Sequence, residues 1–248
     1  MTRSGAEAGR EKGTEAVRAE DLPDVRALDL FADMEEANFD ELMQAAYLQR
    51  FPPQVQLIRE GDPADFLHVV VEGTVELYAG ANNRETTTAV IEPVATFILA
   101  AVLRDAVYLM SARTMTATRI LMIPCENIRT IFARDAAFAR SIVGELSMRY
   151  RDMVKSLKNH KLRTSVERLA NYLLGEHARQ GGNGGLTLKI DKRTLAALLG
   201  MTPENLSRAF GTLAPYGVTV NGAEIALANT KDLETLAKPS PLIDDPNS

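Results

Sequence analysis

The stretch Asp191-Lys192-Arg193-Thr194-Leu195-Ala196-Ala197-Leu198-Leu199-Gly200-Met201-Thr202-Pro203-Glu204-Asn205-Leu206-Ser207-Arg208-Ala209-Phe210 decides how the chain is read. Asp191 is a good helix N-cap, and it predicts a helix through Leu199 that Gly200 ends. Thr202 caps a second helix, reaching about Leu213. Pro203 stands at its first position and Glu204 in its first turn, where a fixed φ and a negative charge are favoured. Ala196 and Ala197 are small enough for the two helices to approach closely. Leu195, Leu198 and Leu199 can then fill a core against Leu206 and Phe210. The opposite face of the second helix carries Glu204, Ser207 and Arg208 at i, i+3 and i+4. Arginine can bond guanine bidentately and glutamate can accept from a cytosine amino group, so this face has base-reading chemistry for a major groove. The plainer alternative is an exposed Glu–Arg pair on an ordinary helix.

Downstream, Pro215-Tyr216-Gly217 turns into Val218 to Val220, Asn221-Gly222 makes a tight turn, and Glu224 to Leu227 returns. Two helices followed by a hairpin form a winged helix-turn-helix. Lys231 to Ala237 predicts a last helical turn or two. Upstream, Leu186 to Ile190 alternates like a strand, Gln180 to Gly185 is a loop, and Ser165 to Arg179 is an amphipathic helix. A longer helix is expected from near Asp135 to about Lys161. In it Val143, Tyr150 and Leu157 share one heptad position, and Leu146, Met153 and His160 share the other, which suits a two-stranded dimer seam. The alternative is a single helix packed on its own domain.

The first half of the chain reads differently. Leu28 to Arg50 is expected to be helical, with Phe31, Met34, Phe39, Leu42 and Met43 on one face and Pro52-Pro53 as its stop. Short strands follow at Val55–Ile58, Phe66–Val71, Val75–Tyr78, Thr86–Ile91, Ser111–Thr116 and Arg119–Ile123, separated by turn residues, and they argue a small β-roll. Pro124 opens a short helix to about Ala133. The resulting α+β organisation has a flexible leader over 1–25 and a β-roll sensing domain over 26–134. A dimerisation helix over 135–163, a winged helix-turn-helix over 164–237 and a disordered tail over 238–248 complete it.

The composition of the 248 residues, 46% hydrophobic and 25% charged, is that of a globular protein, and no run of eighteen apolar residues suggests a membrane span. One cysteine, Cys125, excludes an internal disulfide, a cysteine-ligated iron–sulfur cluster and a cysteine-rich zinc site. No apolar signal segment opens the chain, so a cytoplasmic location is expected. The net charge of −5 is unevenly spread: Met148 to Leu213 holds twelve Lys/Arg against five Asp/Glu, a local +7. A local basic surface is what phosphate binding needs. Lys192, Arg193 and Thr202 are placed to touch the DNA backbone. Three histidines and no Gly-rich phosphate loop or nucleophile motif leave little to build a catalytic site from, and no enzymatic activity is expected.

From about Leu28 to Leu236 the chain resembles the CRP/FNR family of bacterial transcription regulators. The residues that carry this are the Glu60-Gly61-Asp62 turn, the strand Leu67 to Val71 ending in Glu72-Gly73, the long helix and the helix-turn-helix, in family order. Glu204-x-x-Ser207-Arg208 resembles the FNR-type recognition helix; the CRP type has arginine where this chain has Pro203 and glycine where it has Ser207. The resemblance implies a cyclic-nucleotide-binding-like roll. It also implies a homodimer on double-stranded DNA with palindromic TTGAT-like half-sites, RNA polymerase as a partner, and allosteric control by an effector. The places that take the ribose and the cyclic phosphate in cAMP-binding members hold Ala100 and Met110 here, so cAMP is not expected. The four cysteines of the oxygen-sensing members are missing. What remains is an apolar effector pocket of Leu99, Ala100, Val102, Leu103 and Met110, together with Leu109, suited to haem or another hydrophobic effector; the alternative is that these residues simply pack the roll. His68, His160 and His177 are candidate iron ligands, or structural histidines. Cys125 starts a helix whose dipole could lower its pKa for a redox role, or is an inert thiol. A regulator without effector, controlled by its own abundance, is the second reading.

Overall fold

The strands between Gln56 and Ile123 pair as two antiparallel sheets, because each can bury one face only against the other. The computed structural model describes residues 14–15, 22–82 and 84–245. The chain divides into two compact units, one reaching Met148 and the other starting at Arg149. In chain order the first holds β1 (Thr14–Glu15), α1 (Leu22–Arg26), α2 (Asp29–Ala32), α3 (Glu36–Ala45), β2 (Tyr47–Phe51), β3 (Gln56–Ile58) and β4 (Phe66–Glu72). Next come β5 (Val75–Ala81), β6 (Arg84–Ile91), β7 (Ala95–Phe97), α4 (Leu99–Arg104), β8 (Ser111–Thr114), β9 (Thr118–Pro124) and α5 (Cys125–Arg134). A long helix, α6 (Ala136–Leu162), begins in this unit.

One sheet has the order β1-β2-β9-β4-β7 and the other β3-β8-β5-β6. Successive side chains on a strand point to opposite faces, so register decides which residues meet. Leu48, Leu121 and Val69 form one fully buried row across β2, β9 and β4. Tyr47, Met122, His68 and Phe97 form the next row, on the opposite face. The second sheet carries a polar knot: buried Glu76 accepts from Thr87 Oγ1 at 2.5 Å and from Arg113 Nε at 2.6 Å.

Leu28–Arg50 is not one helix. Leu28 and Glu35 are extended, α3 stops at Ala46, and Tyr47–Phe51 pair with Thr118–Met122 of β9. A cross-strand partner 67 to 75 residues away overrides local propensity, which sequence windows cannot register. The helical corner is tied by Arg26, whose guanidinium donates to the carbonyls of Phe31 (2.7 Å) and Met34 (2.6 Å). All five residues expected on one face are nonetheless buried: Phe31, Met34, Phe39, Leu42 and Met43. The flexible leader expected over 1–25 is wrong at its end, since α1 starts at Leu22 and Val25 is fully buried. Thr14–Glu15 pair with Leu48–Gln49, and the rest of the expected leader lies outside the described residues.

The second unit holds the end of α6, then α7 (Ser165–Arg179), β10 (Gly185–Thr187), α8 (Lys192–Leu198) and α9 (Pro203–Leu213). A 3-10 turn, β11 (Val218–Asn221), β12 (Glu224–Leu227), α10 (Thr230–Ala237) and α11 (Pro241–Asp244) follow. Thr164 and Glu167 close a capping box at the start of α7, each side chain accepting from the other's backbone N–H. The core gathers Leu169, Leu173, Leu195, Leu206, Leu213 and Leu233, all at most 1% exposed. The tail expected to be disordered forms α11 instead. Asp244 accepts from both terminal nitrogens of Arg163, with Nη1 at 2.7 Å and Nη2 at 2.5 Å, while Lys155 and Lys158 donate to the carbonyls of Asp245 and Leu242. A bidentate arginine contact outweighs the disorder-promoting composition.

Along α6, Phe138 and Ile142 are buried in the first unit's core and Leu146 is partly so. Val143 (60% exposed), Tyr150 (67%), Met153 (68%) and Leu157 (57%) are not. Among the described residues, no helix is long and apolar enough to cross a membrane.

Candidate nucleic-acid interface

The helix pair α8–α9 is built as its caps dictate. Asp191 Oδ1 accepts from the N–H of Thr194 at 2.7 Å, and Thr202 Oγ1 accepts from that of Asn205 at 3.3 Å. Between them Gly200 takes φ +63°, the left-handed conformation that ends α8 and turns the chain. A side chain there would also strike His160, whose Cε1 lies 2.8 Å from the position a Cβ would occupy.

A second device clamps the turn, and no local pattern could have revealed it. Arg168 on α7 donates Nε to the Leu199 carbonyl at 2.8 Å and Nη2 to that of Gly200 at 3.4 Å; its Nη1 reaches the Arg163 carbonyl at 2.7 Å. These partners satisfy carbonyls that α8 leaves unpaired at its C-terminus. They lie thirty-one and thirty-two residues along the chain from Arg168.

Anchoring decides which face of α9 is free. Leu206 (1% exposed), Ala209, Phe210 and Leu213 are buried in the unit's core. Glu204, Ser207 and Arg208 are exposed, side by side, on the face turned away from it. Arg208 Nη2 donates to the side-chain oxygen of Asn205, one turn back. The backbone N–H of Glu204 and the Thr202 hydroxyl hold the Glu204 carboxyl below the usual carboxylate range, so it is ionised at neutral pH. Lys192, Arg193 and Thr202 are exposed as well, and the Lys192 ammonium lies 6.0 Å from the ring centre of Phe210, at the edge of α9.

The local excess of +7 overstates the charge offered to phosphate. Arg163 is taken up by Asp244, Arg179 by Glu176, and Lys155, Lys158 and Arg168 by backbone carbonyls. Lys192, Arg193 and Arg208 are the cations that combine exposure with a place on α8 or α9.

The apolar pocket expected around Leu99–Met110 is not gathered. Leu99 and Val102 are buried in the roll's core, Leu103 and Met110 are half-buried, Ala100 is exposed on α4, and Leu109 is exposed in the bend that precedes β8. The reason is α4 itself: a short helix, unforeseen in the sequence, turns its residues to different sides. A cavity of about 610 Å³ lies elsewhere, lined from β2, β3, β4, β9 and Tyr108. The three histidines are separated, in the roll (His68), at the end of α6 (His160) and at the end of α7 (His177). His160 packs on the Gly200 turn, which corrects its expected place in the seam. Burial lowers its pKa, and the Arg168 charge lowers it further. Cys125 is 2% exposed, and burial pushes its thiol up to about 11, against the lowering expected from its helix position.

A winged helix-turn-helix with a polar, exposed face on its second helix, preceded in the chain by a β-roll, defines a DNA-binding regulator. The family model of the cyclic nucleotide-binding domain matches residues 48–135, and that of the Crp-like helix-turn-helix domain matches residues 167–236. The chain is 22% identical over 194 residues to a CRP-like cAMP-activated global transcriptional regulator of Mycobacterium tuberculosis, covering 76% of this chain and 87% of that one. A regulatory protein from Silicibacter pomeroyi DSS-3 has a similar structure, with 28% identity, a TM-score of 0.57, and coverage of 85% and 94% of the two chains. FixK2 from Bradyrhizobium japonicum shares the fold with a TM-score of 0.68 and 22% identity, covering 79% of this chain and 98% of that one. The chain belongs to the CRP/FNR family of transcriptional regulators.

Proposed function

We propose that the chain acts as a homodimer, joined along α6, that reads a palindrome of TTGAT-like half-sites through Glu204, Ser207 and Arg208. One observation carries this reading: those three side chains are exposed on one face of α9 while Leu206 and Phe210 anchor the other. The half-site sequence follows from the resemblance of Glu204-x-x-Ser207-Arg208 to the FNR-type helix. Dimerisation is supported by Val143, Tyr150, Met153 and Leu157, a row of large apolar side chains more than half exposed at heptad spacing. Pairing two recognition helices on a palindrome requires half-sites about one helical turn apart. Lys192, Arg193 and Thr202 contact the backbone. The protein works in the cytoplasm, and RNA polymerase is its partner at promoters. The cAMP of the Mycobacterium relative is not its effector, because Ala100 and Met110 supply neither a ribose acceptor nor a phosphate-binding charge.

The test is fluorescence anisotropy on a duplex carrying the palindrome, with native mass spectrometry of the free protein. Saturable binding by a dimer, unchanged by cAMP and at least tenfold weaker on a scrambled duplex, is expected. Equal affinity for both duplexes would overturn the half-site, and a monomer would overturn the α6 seam.

A further inference from the structure

Residues 238–245 lie beyond the stretch 167–236 that the Crp-like helix-turn-helix domain matches, and they close on the joint between α6 and α7. That joint is short: α6 ends at Leu162, Thr164 already caps α7, and Arg163 stands between them. The Arg163 side chain is only 6% exposed. Asp244 accepts from both of its terminal nitrogens, and Asn159 on α6 accepts from Nη1 as well, at 3.1 Å. The Ser240 N–H donates to Asp244 Oδ2 at 2.6 Å, so the carboxylate is fixed from its own segment too. Burial alone would raise the Asp244 pKa, but Arg163 and that N–H more than offset it and hold the carboxyl low, so the pair is ionic at neutral pH. Lys155 and Lys158 tie the segment to α6 through the carbonyls of Asp245 and Leu242, and Asn171 on α7 donates to the Ala237 carbonyl at 2.7 Å. The segment therefore grips both sides of the joint, and all of these residues belong to the second unit.

The backbone of Arg163 leads onward. Its carbonyl accepts from Arg168 Nη1, and the same guanidinium donates Nε to the Leu199 carbonyl and Nη2 to that of Gly200. Because a guanidinium is a rigid plane of donors, the Arg163 carbonyl cannot shift without straining the bonds that Arg168 makes to the turn. Successive hydrogen bonds thus run from Asp244 through Arg163 and Arg168 to the α8–α9 turn. Directly after that turn α9 starts, with Glu204, Ser207 and Arg208 on its exposed face.

We infer that Asp244 is a positioning residue for the recognition helix: through Arg163 and Arg168 it holds the α8–α9 turn, and with it the exposed face of α9, in the conformation that reads DNA. This rests on the DNA-reading role proposed above for that face.

Amide hydrogen exchange at the turn supplies a readout that needs no DNA. The Gly200 and Met201 N–H groups donate to the Ala197 and Ala196 carbonyls, so they exchange when the turn opens. In the full-length protein Asp244→Asn should speed their exchange about fivefold and leave the amides of Ala209 and Phe210 in α9 unchanged. Asp244→Glu, which keeps the charge, should restore most of the protection. Arg168→Ala should speed the same amides at least as much, and the double variant no more than Arg168→Ala alone, since Asp244 acts through Arg168. Arg168→Lys takes its place in that cycle if the alanine variant does not fold. On the palindromic duplex Asp244→Asn should bind about fivefold more weakly than the parent, with Asp244→Glu close to the parent. The role assigned to Asp244 is overturned if Asp244→Asn exchanges at the parent's rate, or if exchange rises alike across the whole second unit. It is equally overturned if the two substitutions act additively, or if Asp244→Asn keeps the parent's affinity for a palindrome that the parent selects. A parent that does not tell the palindrome from its scramble overturns the DNA reading of α9, while the exchange rates still decide whether Asp244 holds the turn.

Discussion

The two units differ in the polar groups they turn inward. In the second unit the long cations that turn inward are engaged. Arg168 clamps the α8–α9 turn and Arg163 pins the tail, which leaves α9 free to present a clean outward face. In the roll, Glu76, Thr87 and Arg113 are equally well matched, while His68 is packed among aromatic rings and stacked on Phe97 at 5.1 Å. The second unit thus spends its inward arginines on carbonyls and a carboxylate, whereas the roll buries an uncharged imidazole among rings.

The largest expected effect tests the roll side of this contrast. Folded His68 stays neutral down to about pH 4, whereas in the unfolded chain it protonates near 6.5. The unfolded state therefore gains the proton first, and stability falls as pH drops from 6.5 to 4, by about 3 kcal/mol from this group. Urea melts at pH 7 and pH 4 should show this for the parent, and less of it for His68→Leu; an equal loss in both would remove the histidine from the account. Asp135 acts in the same direction at lower pH. Burial would raise its pKa, but the N–H of Phe138, the Asn38 amide and the N–H of Glu35 more than offset this and hold it low.

Next in size, Arg208→Ala should cost about 2 kcal/mol on the preferred duplex and relax the sequence preference, while leaving the melting temperature alone. A variant that keeps its full preference would take Arg208 out of the readout. Gly200→Ala should do the reverse and destabilise the second unit by about 1–2 kcal/mol, from the left-handed φ and the His160 contact together. Adding His160→Ala should recover only the part due to the clash, and full recovery would show that φ carries no cost. The smallest effect belongs to Lys192→Ala, expected to weaken all duplexes alike and to lower the salt slope by about one.

How much was legible follows the same division. The helix-turn-helix is a local construction, so Asp191, Gly200, Thr202 and Pro203 announce it and the structure places each where the caps require. The buried row expected on Phe31, Met34, Phe39, Leu42 and Met43 was also legible, although the single helix carrying it was not. What escaped depends on distant partners: β2 exists because Tyr47–Phe51 meet β9, and α11 because Asp244 meets Arg163. The misplaced effector pocket has the same origin. The run 97–103 looks like a wall of apolar residues, but α4 rotates Leu99 and Val102 inward and Ala100 outward. The cavity beside His68 is assembled from residues on four strands and two loops, and no window of sequence contains it.

Asp135 joins the capping of two helices that are distant in the chain. One carboxylate terminates two helices at once, with Oδ1 accepting from the N–H of Phe138 in the first turn of α6 and Oδ2 from the N–H of Glu35 at the head of α3. A further bond from the Asn38 amide reaches the same Oδ2 at 2.9 Å. The heads of the two helices are thus hinged on a single atom group, as two rods are on a common pin. Removing that one carboxylate would leave donors at both helix heads without their acceptor at the same time.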